Sequence, residues 1–322
     1  MSAPTPPIGR PLLDPTEHFP ALAALRSAVR AGDAEAVRTA FAPLTDEDDR
    51  ALASSVVAGT PDCEPFLRKA AAERPDDPLP RSLLADRLIR VGWEIRTDHR
   101  AEHVSAQQFE GLHAHLRQAE ILLIDVCAAH PRYALAWYLR LITARGLELG
   151  GGEARRRHDR LAEHHPHHYS GQTQLLQQLC PKWGGDWDTA HAFAHDRALA
   201  APEGAPNGAL VAVAQLEQYL DLAEKQNKTA AETYLRAPEQ RTAVLEAAAR
   251  SVLHPAARTD AHQSVAAHNA FAALHSVAGR HVEAAPHFRA LGDRATEFPW
   301  GYVGVDHAAA FVRHRKTALA KG

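Results

Sequence analysis

Cysteine and long apolar runs are scarce in this sequence. The 322 residues include three cysteines, Cys63, Cys127 and Cys180, which are far apart and have no CxxC spacing. That number and spacing argue against a disulfide framework and favour a reducing, cytoplasmic environment in which each thiol is a small buried group. No apolar segment reaches the roughly 20 residues that a membrane-spanning helix needs, so we expect no membrane association.

An excess of charge of one sign is also absent. The 36 basic and 39 acidic residues leave a formal charge of -3, which does not favour a nucleic-acid or membrane-surface partner. Signatures of catalysis are missing as well: there is no GxSxG elbow and no phosphate-binding GxxxxGK[ST] loop. We therefore expect no cofactor and no catalytic residue, and we favour a role other than catalysis.

The sequence is rich in alanine and poor in valine, isoleucine and hairpin turns, which predicts an all-α protein. Five prolines precede Phe19, so residues 1–18 are expected to be a disordered lead-in. We expect one helical domain over 19–312 and a basic, flexible tail over 313–322. Helical periodicity is clearest at 81–96, 107–129, 135–148, 187–200, 208–224, 240–252, 262–277 and 281–291.

Five prolines share a frame with a small residue twelve positions upstream. The pairs are Cys63 and Pro75, Ala119 and Pro131, Ala154 and Pro166, Ala190 and Pro202, and Ala243 and Pro255. A small residue lets the second helix of a pair approach the first, and proline ends that helix because its ring clashes with the preceding turn. Two of the proline intervals are 35 and 36 residues, close to the period of helix-pair solenoids. A non-repeating helical bundle is the alternative, since this pairing also arises by chance in an alanine-rich chain.

The frame resembles the tetratricopeptide repeat. Trp137, which follows the His130-Pro131 turn, occupies a position where the first helix of that motif often has tryptophan. The best single segment is HNAFAALHSVAGRHVEAAPHF, and further partial matches follow Pro75 and Gly185. Its matching residues are Phe271, Ala272, Gly279, Ala284 and Phe288.

The resemblance spans roughly residues 50–295 in degenerate form, and the block CPKWGGDWDTAHAFA resembles bacterial helical-repeat proteins of unknown function. It implies a right-handed solenoid of helix pairs with a helical N-terminal extension.

The resemblance also implies a binding groove for a protein or peptide, because the first helix of each tetratricopeptide pair lines the concave face. Carried over by register, the groove positions are Asp86, Arg90, Tyr138, Arg145, Gln177 and Asn269. This polar, partly cationic set suits an extended segment whose carboxylates meet arginine. Ordinary solvated helix positions are the alternative, with Asp86 and Arg90 as a surface pair four residues apart.

A second hypothesis is a small-molecule site or an enzyme in the middle of the chain. The stretch CPKWGGDWDTAH holds Trp183, Asp186 and Trp187, and spacing puts His191 and His195 on one helix face. A closed pocket with convergent polar groups would support this hypothesis. A glycine turn between packed helices, covered by the tryptophans, explains the same residues structurally.

Histidine is abundant, with 21 residues, and the segment RRRHDRLAEHHPHHYSG holds five of them. Because they form no orderly ligand set and no Glu follows His191 as HExxH requires, we predict no native metal site. The four arginines at 155, 156, 157 and 160 form a local basic patch that could bind RNA. Acidic residues interrupt the patch, so we favour a solvated helix face.

Overall fold

The computed structural model describes residues 9–97, 99, 103–259, 261–304 and 306–322. Within these residues the only regular structure other than helix is an isolated parallel bridge between Leu12 and Arg294, and the all-α prediction is confirmed. Contacts divide the chain into two compact units. We call Phe19–Gly185 the N-terminal unit, and Asp186–Gly322 together with the residues up to His18 the C-terminal unit. The expected single domain over 19–312 spans both units.

Nine α-helices form the described part of the N-terminal unit. They are α2 (Pro20–Ala31), α3 (Ala34–Phe41), α4 (Glu47–Ala58), α5 (Glu64–Glu73), α6 (Pro78–Arg96), α7 (Ala106–Ala129), α8 (Ala134–Gly146), α9 (Gly150–Ala162) and α10 (Tyr169–Leu179). Of these, α2 packs against α3, and from α5 onward each helix packs against the next in sequence. Side-chain caps begin several of them; Ser105, for example, forms a capping box with Gln108. α4 also contacts α6, α8 and α10, so these four helices form the inner layer of the unit.

Trp137 anchors the turn that begins α8. Its ring is buried, and its indole Nε1 donates to the carbonyl of Pro131 at 2.8 Å. The small residues of the proline frame in this unit, Cys63, Ala119 and Ala154, are also buried. A larger side chain at these positions would separate the paired helices.

The described helices of the C-terminal unit include one that is almost wholly buried. They are α1 (Pro15–His18), α11 (Trp187–Ala200), α12 (Ala209–Lys225), α13 (Lys228–Arg236), α14 (Pro238–Arg250), α15 (His262–Val277), α16 (His281–Leu291), α17 (Glu297–Val303) and α18 (His307–Lys321). α15 contacts α12, α16, α17 and α18, and 13 of its 16 residues are buried. Phe288, Trp300 and Phe311 pack together in this core.

Both ends of the chain differ from the sequence-based expectation. Residues 1–8 of the expected lead-in lie outside the described residues, but Leu12 exchanges backbone hydrogen bonds with Asp293 and Ala295. The expected flexible tail belongs to α18, where Ala318 is fully buried. Arg315 is buried too, because its guanidinium lies over Phe311 at 5.2 Å and bonds to Asp293 at 2.6 Å.

All eight helices predicted from periodicity are present, with ends that differ by three residues or fewer. None of the described helices combines the length and the apolar character that crossing a membrane requires.

Three neutral histidines are packed inside the C-terminal unit. The ring of His287 stacks on Phe271 at 5.0 Å and on His275 at 5.8 Å, and its Nδ1 lies 3.0 Å from Nδ1 of His268. His275 is fully buried, and among the described residues neither of its ring nitrogens has a hydrogen-bond partner. Burial lowers the pKa of His268 and of His275 to about 4, with smaller contributions from Arg294 and Arg280 respectively.

These pKa values predict an acid-labile unit. Below pH 6.5 the unfolded chain takes up protons that folded His275 does not accept until about pH 4. Stability is therefore full above pH 6.5 and falls between pH 6.5 and pH 4, by roughly 3 kcal/mol for this histidine. Urea unfolding at about pH 7.5 and about pH 4.5, with hydrogen exchange on α15, measures the loss.

His275→Phe keeps a stacked ring without a titrating group, so it should reduce this acid sensitivity. The exposed His164, changed to Phe, is the matched control and should leave the sensitivity unchanged. Equal acid sensitivity in wild type and His275→Phe would contradict the assignment.

Candidate functional site

Asp86 and Ser54 form a buried polar contact between α6 and α4. Ser54 Oγ donates to Asp86 Oδ2 at 2.5 Å, and both residues are buried. Burial raises the pKa of Asp86 to about 6, while the Ser54 hydrogen bond and the charge of Arg90 act in the opposite direction. The Asp86 carboxyl is therefore held in the helix packing and is not a solvated surface group.

Asp48 of α4 caps the first turn of α10. Its carboxylate accepts from Tyr169 N at 2.9 Å and from Ser170 N at 2.7 Å. The amides at the start of a helix have no partner within the helix, so the carboxylate satisfies them and stabilises the positive end of the dipole. Nδ1 of the buried His168 accepts from Gly171 N at 2.9 Å, which makes His168 the N-cap of α10.

Tyr138 lies between these two contacts. Its ring is 5.7 Å from the ring of His168, and burial, followed by the charges of Asp86 and Asp48, raises its pKa. The inner helices α4, α6, α8 and α10 meet here. This stretch of the predicted groove is consequently filled by helix packing.

Two of the predicted groove residues reach the surface near the C-terminal ends of α6 and α8. Arg90 is about half exposed and pairs with Glu94 at 3.1 Å. Arg145 is partly exposed, and its guanidinium lies 5.6 Å from the ring of Trp183.

Trp183 also contacts Trp93 edge to face at 6.4 Å, and Arg96 lies 5.9 Å from Trp93. We call Trp93, Arg96, Arg145 and Trp183 the Trp-Arg surface. Such contacts hold a guanidinium flat against an aromatic ring and orient its N–H groups.

The remaining predicted groove residues lie elsewhere. Gln177 is partly buried on α10 and precedes Trp183 by six residues in the sequence. Asn269 belongs to the C-terminal unit, where it is fully buried and its amide oxygen accepts from Trp300 Nε1 at 2.7 Å. The Asn269 side chain therefore forms its hydrogen bond within the core around α15 and does not line a groove.

The five residues of the alternative pocket fall on both sides of the boundary between the units. Trp183 belongs to the N-terminal unit and the other four to the C-terminal unit. Asp186 is exposed and caps α11 by accepting from Thr189 N at 2.7 Å. His195 is exposed, whereas Trp187 and His191 are partly buried and lie against α12 and α13.

The histidine-rich segment places its members in different surroundings. His158 and His168 are buried, and His164 is exposed. Among the described residues, no three His, Cys, Asp or Glu side chains are grouped in a way that could hold a metal ion.

The arginines of the basic patch are mostly paired. Arg156 forms an ion pair with Glu153 at 2.7 Å, and Arg160 with Glu163 at 3.0 Å. Arg157 is buried. The patch consequently presents little unpaired positive charge to a phosphate backbone.

Sequence reasoning missed the buried charge cluster that contains Arg157. The carboxylate of Glu120 on α7 accepts from Arg157 at 2.8 and 3.0 Å, from Arg140 at 2.9 Å and from Thr143 at 2.5 Å. Arg157 also donates from Nε to Glu153 at 2.7 Å. The available signal was a single Glu between Leu116 and Leu123 on the apolar stripe of α7.

An open cleft of about 500 Å³ lies between the end of α2 and the start of α5. Arg30 and Asp62 give it charges of both signs, and Phe66 and Cys63 contribute apolar surface. Burial raises the pKa of the Cys63 thiol, which makes it a weak nucleophile. None of the predicted site residues lines this cleft.

No family model, curated protein or solved structure matches the chain. The candidate sites therefore rest on the geometry of its own residues.

The buried charge cluster predicts opposite outcomes for two neighbouring arginines. Arg157→Met leaves part of the Glu120 carboxylate unpaired in the core and should lower the free energy of unfolding by about 3 to 5 kcal/mol. Arg156→Met removes a solvent-exposed pair and should cost less than about 1 kcal/mol. Urea unfolding of both variants measures the difference, and similar losses would contradict the cluster.

The cap on α10 predicts a large effect for a residue far away in sequence. Asp48→Ala leaves the Tyr169 and Ser170 amides without their acceptor and should cost roughly 2 to 3 kcal/mol. Asp33 caps α3 from an exposed position and bonds to Ala36 N at 2.9 Å, so Asp33→Ala is a matched control. Its expected cost is about 1 kcal/mol. If hydrogen exchange shows no loss of protection in α10 of Asp48→Ala, the cap does not hold that helix in place.

Proposed function

We propose that the chain is a non-catalytic interaction protein built from tetratricopeptide-like helix pairs, and that its N-terminal unit binds an acidic protein segment. The pairs are α2 with α3, α4 with α5, α6 with α7, and α8 with α9, followed by α10. In support, α4, α6, α8 and α10 pack side by side as the first helices of such repeats do, and four of the five small residues of the proline frame are buried, Ala243 being the exception. The right-handed solenoid remains part of this proposal.

The Trp-Arg surface is the observation that carries the binding proposal. Arg145 and Arg96 lie over tryptophan rings, so part of the entropy cost of ordering a guanidinium is already met before a ligand binds. Arginine and tryptophan are also the residue types that contribute most binding energy at protein interfaces.

The charges nearby favour an acidic ligand. Arg90 and Arg87 precede Trp93 on α6, and Glu94 is the exposed carboxylate that pairs with both. Asp86 contributes little negative charge outside the core because it is buried. Two or more carboxylates on an extended segment could pair with Arg90 and Arg145. Gln177 is proposed as a neighbouring hydrogen-bonding group.

Peptide display tests the proposal with a random set of sequences. The library is selected on the wild-type protein, and the enriched peptides are measured by fluorescence anisotropy. We expect enrichment of acidic peptides, and we expect Arg90→Glu with Arg145→Glu to weaken their binding by at least about tenfold. Because exposed charges contribute, binding should also weaken as salt is raised.

A control of equal charge change separates the site from general electrostatics. Arg68 and Arg117 are exposed on α5 and α7, the second helices of their pairs, and both are changed to Glu. This control should keep peptide binding, and circular dichroism should show that both double variants remain folded. Retained binding in Arg90→Glu with Arg145→Glu, or equal loss in the control, would contradict the proposal.

A small-molecule site in the middle of the chain is a second candidate function. The contacts of Trp187 and His191 within the C-terminal unit favour it, and they allow a specific ligand class to be named.

A further inference from the structure

A row of three aromatic rings crosses α11 and α13 in the C-terminal unit. Trp187 and His191 are four residues apart on α11, with ring centroids separated by 6.1 Å. The ring of Tyr234 on α13 continues the row, 6.5 Å from His191. All three side chains are partly exposed, and successive rings are tilted by 41° and 48°. We call these residues the aromatic row.

A hydrogen bond keeps the central ring in place, and burial keeps it neutral. Nε2 of His191 lies 2.6 Å from the amide oxygen of Gln218 on α12, so it carries the hydrogen and donates it. Burial lowers the pKa of His191, against smaller opposite effects of that bond and of Asp188. Near neutral pH the row therefore has three uncharged rings.

A carboxylate lies at the tryptophan end of the row. Asp221 Oδ2 accepts from Trp187 Nε1 at 3.3 Å, and Oδ1 pairs with Lys225 at 2.9 Å. Asp221 is about one-fifth exposed, whereas Lys225 is mostly exposed on the same helix, four residues away. A partly exposed pair of residues four apart on a helix is weak, so an external cation can replace the lysine.

We propose that the aromatic row and Asp221 bind a quaternary or methylated ammonium group. The faces of aromatic rings attract cations through their quadrupoles, and methylated ammonium ions are favoured because they lose little hydration on binding. Asp221 supplies the net charge that selects a cation over a neutral group. Exposed Asp186 and Asp188 at the start of α11 add negative potential nearby.

Choline is the probe, and 3,3-dimethylbutan-1-ol is its neutral isostere. In a titration followed by NMR, the indole N–H signal of Trp187 is assigned from a Trp187→Phe variant. Choline should shift that signal in a saturable way and bind at least about tenfold more tightly than the isostere. Equal binding of both compounds, or no saturable shift with choline, would overturn the proposal.

Three variants separate the parts of the site. Asp221→Asn keeps an acceptor for Trp187 Nε1 and removes the charge, so choline binding should weaken at least about fivefold while binding of the isostere is unchanged. Tyr234→Phe keeps the ring and should bind like wild type, whereas Tyr234→Ala should weaken choline binding. Unchanged choline affinity in both Asp221→Asn and Tyr234→Ala would overturn the assignment even if choline binds. The Arg90 and Arg145 variants should bind choline normally, so failure here leaves the peptide proposal in place.

Discussion

The amides at the start of α10 are satisfied by the carboxylate of Asp48, 121 and 122 residues earlier in the chain. This contact ties the first helix of the inner layer to the last. It is buried, so neither partner can exchange the other for water without loss of stability. The contacts of Asp86 and Tyr138 depend on it, because α4 must lie against α6, α8 and α10 for those side chains to be enclosed.

The buried charges around Glu120 give α8 its orientation. Arg140 faces the carboxylate on α7 and also lies over Trp137, while Thr143 and Arg157 complete the pairing. Tyr138 and Arg145 are seven residues apart, so they lie on the same side of α8. That side is opposite to the one that carries Arg140. A rotation of α8 would unpair a buried charge. The charge cluster therefore fixes the direction in which Arg145 points toward Trp183.

The core around α15 in the C-terminal unit relies on neutral polar groups. His268, His275 and His287 pack as rings, and Asn269 and Trp300 satisfy each other's polar groups beside them. His191 shows the same principle at the surface, where burial lowers the pKa of the imidazole and a hydrogen bond to Gln218 holds the ring in place. Burial therefore keeps these histidines neutral near neutral pH, and acid destabilises the unit because it favours their protonated forms.

Local sequence by itself determined the all-α class, the helices around Trp137 and Phe271, and the small buried positions such as Ala154. Those features depend on helix propensity, periodicity and side-chain size, which act over a few turns of chain. Only the tertiary structure decided that Arg145 meets Trp183 while Asp86 and Asn269 are buried. It also decided that Arg157 is a core residue and Arg156 a surface residue, although they are adjacent in sequence. The physical reason is that burial and pairing depend on partners 20 to more than 100 residues away, such as Glu120 for Arg140 and Asp48 for Tyr169, whose positions no local pattern records.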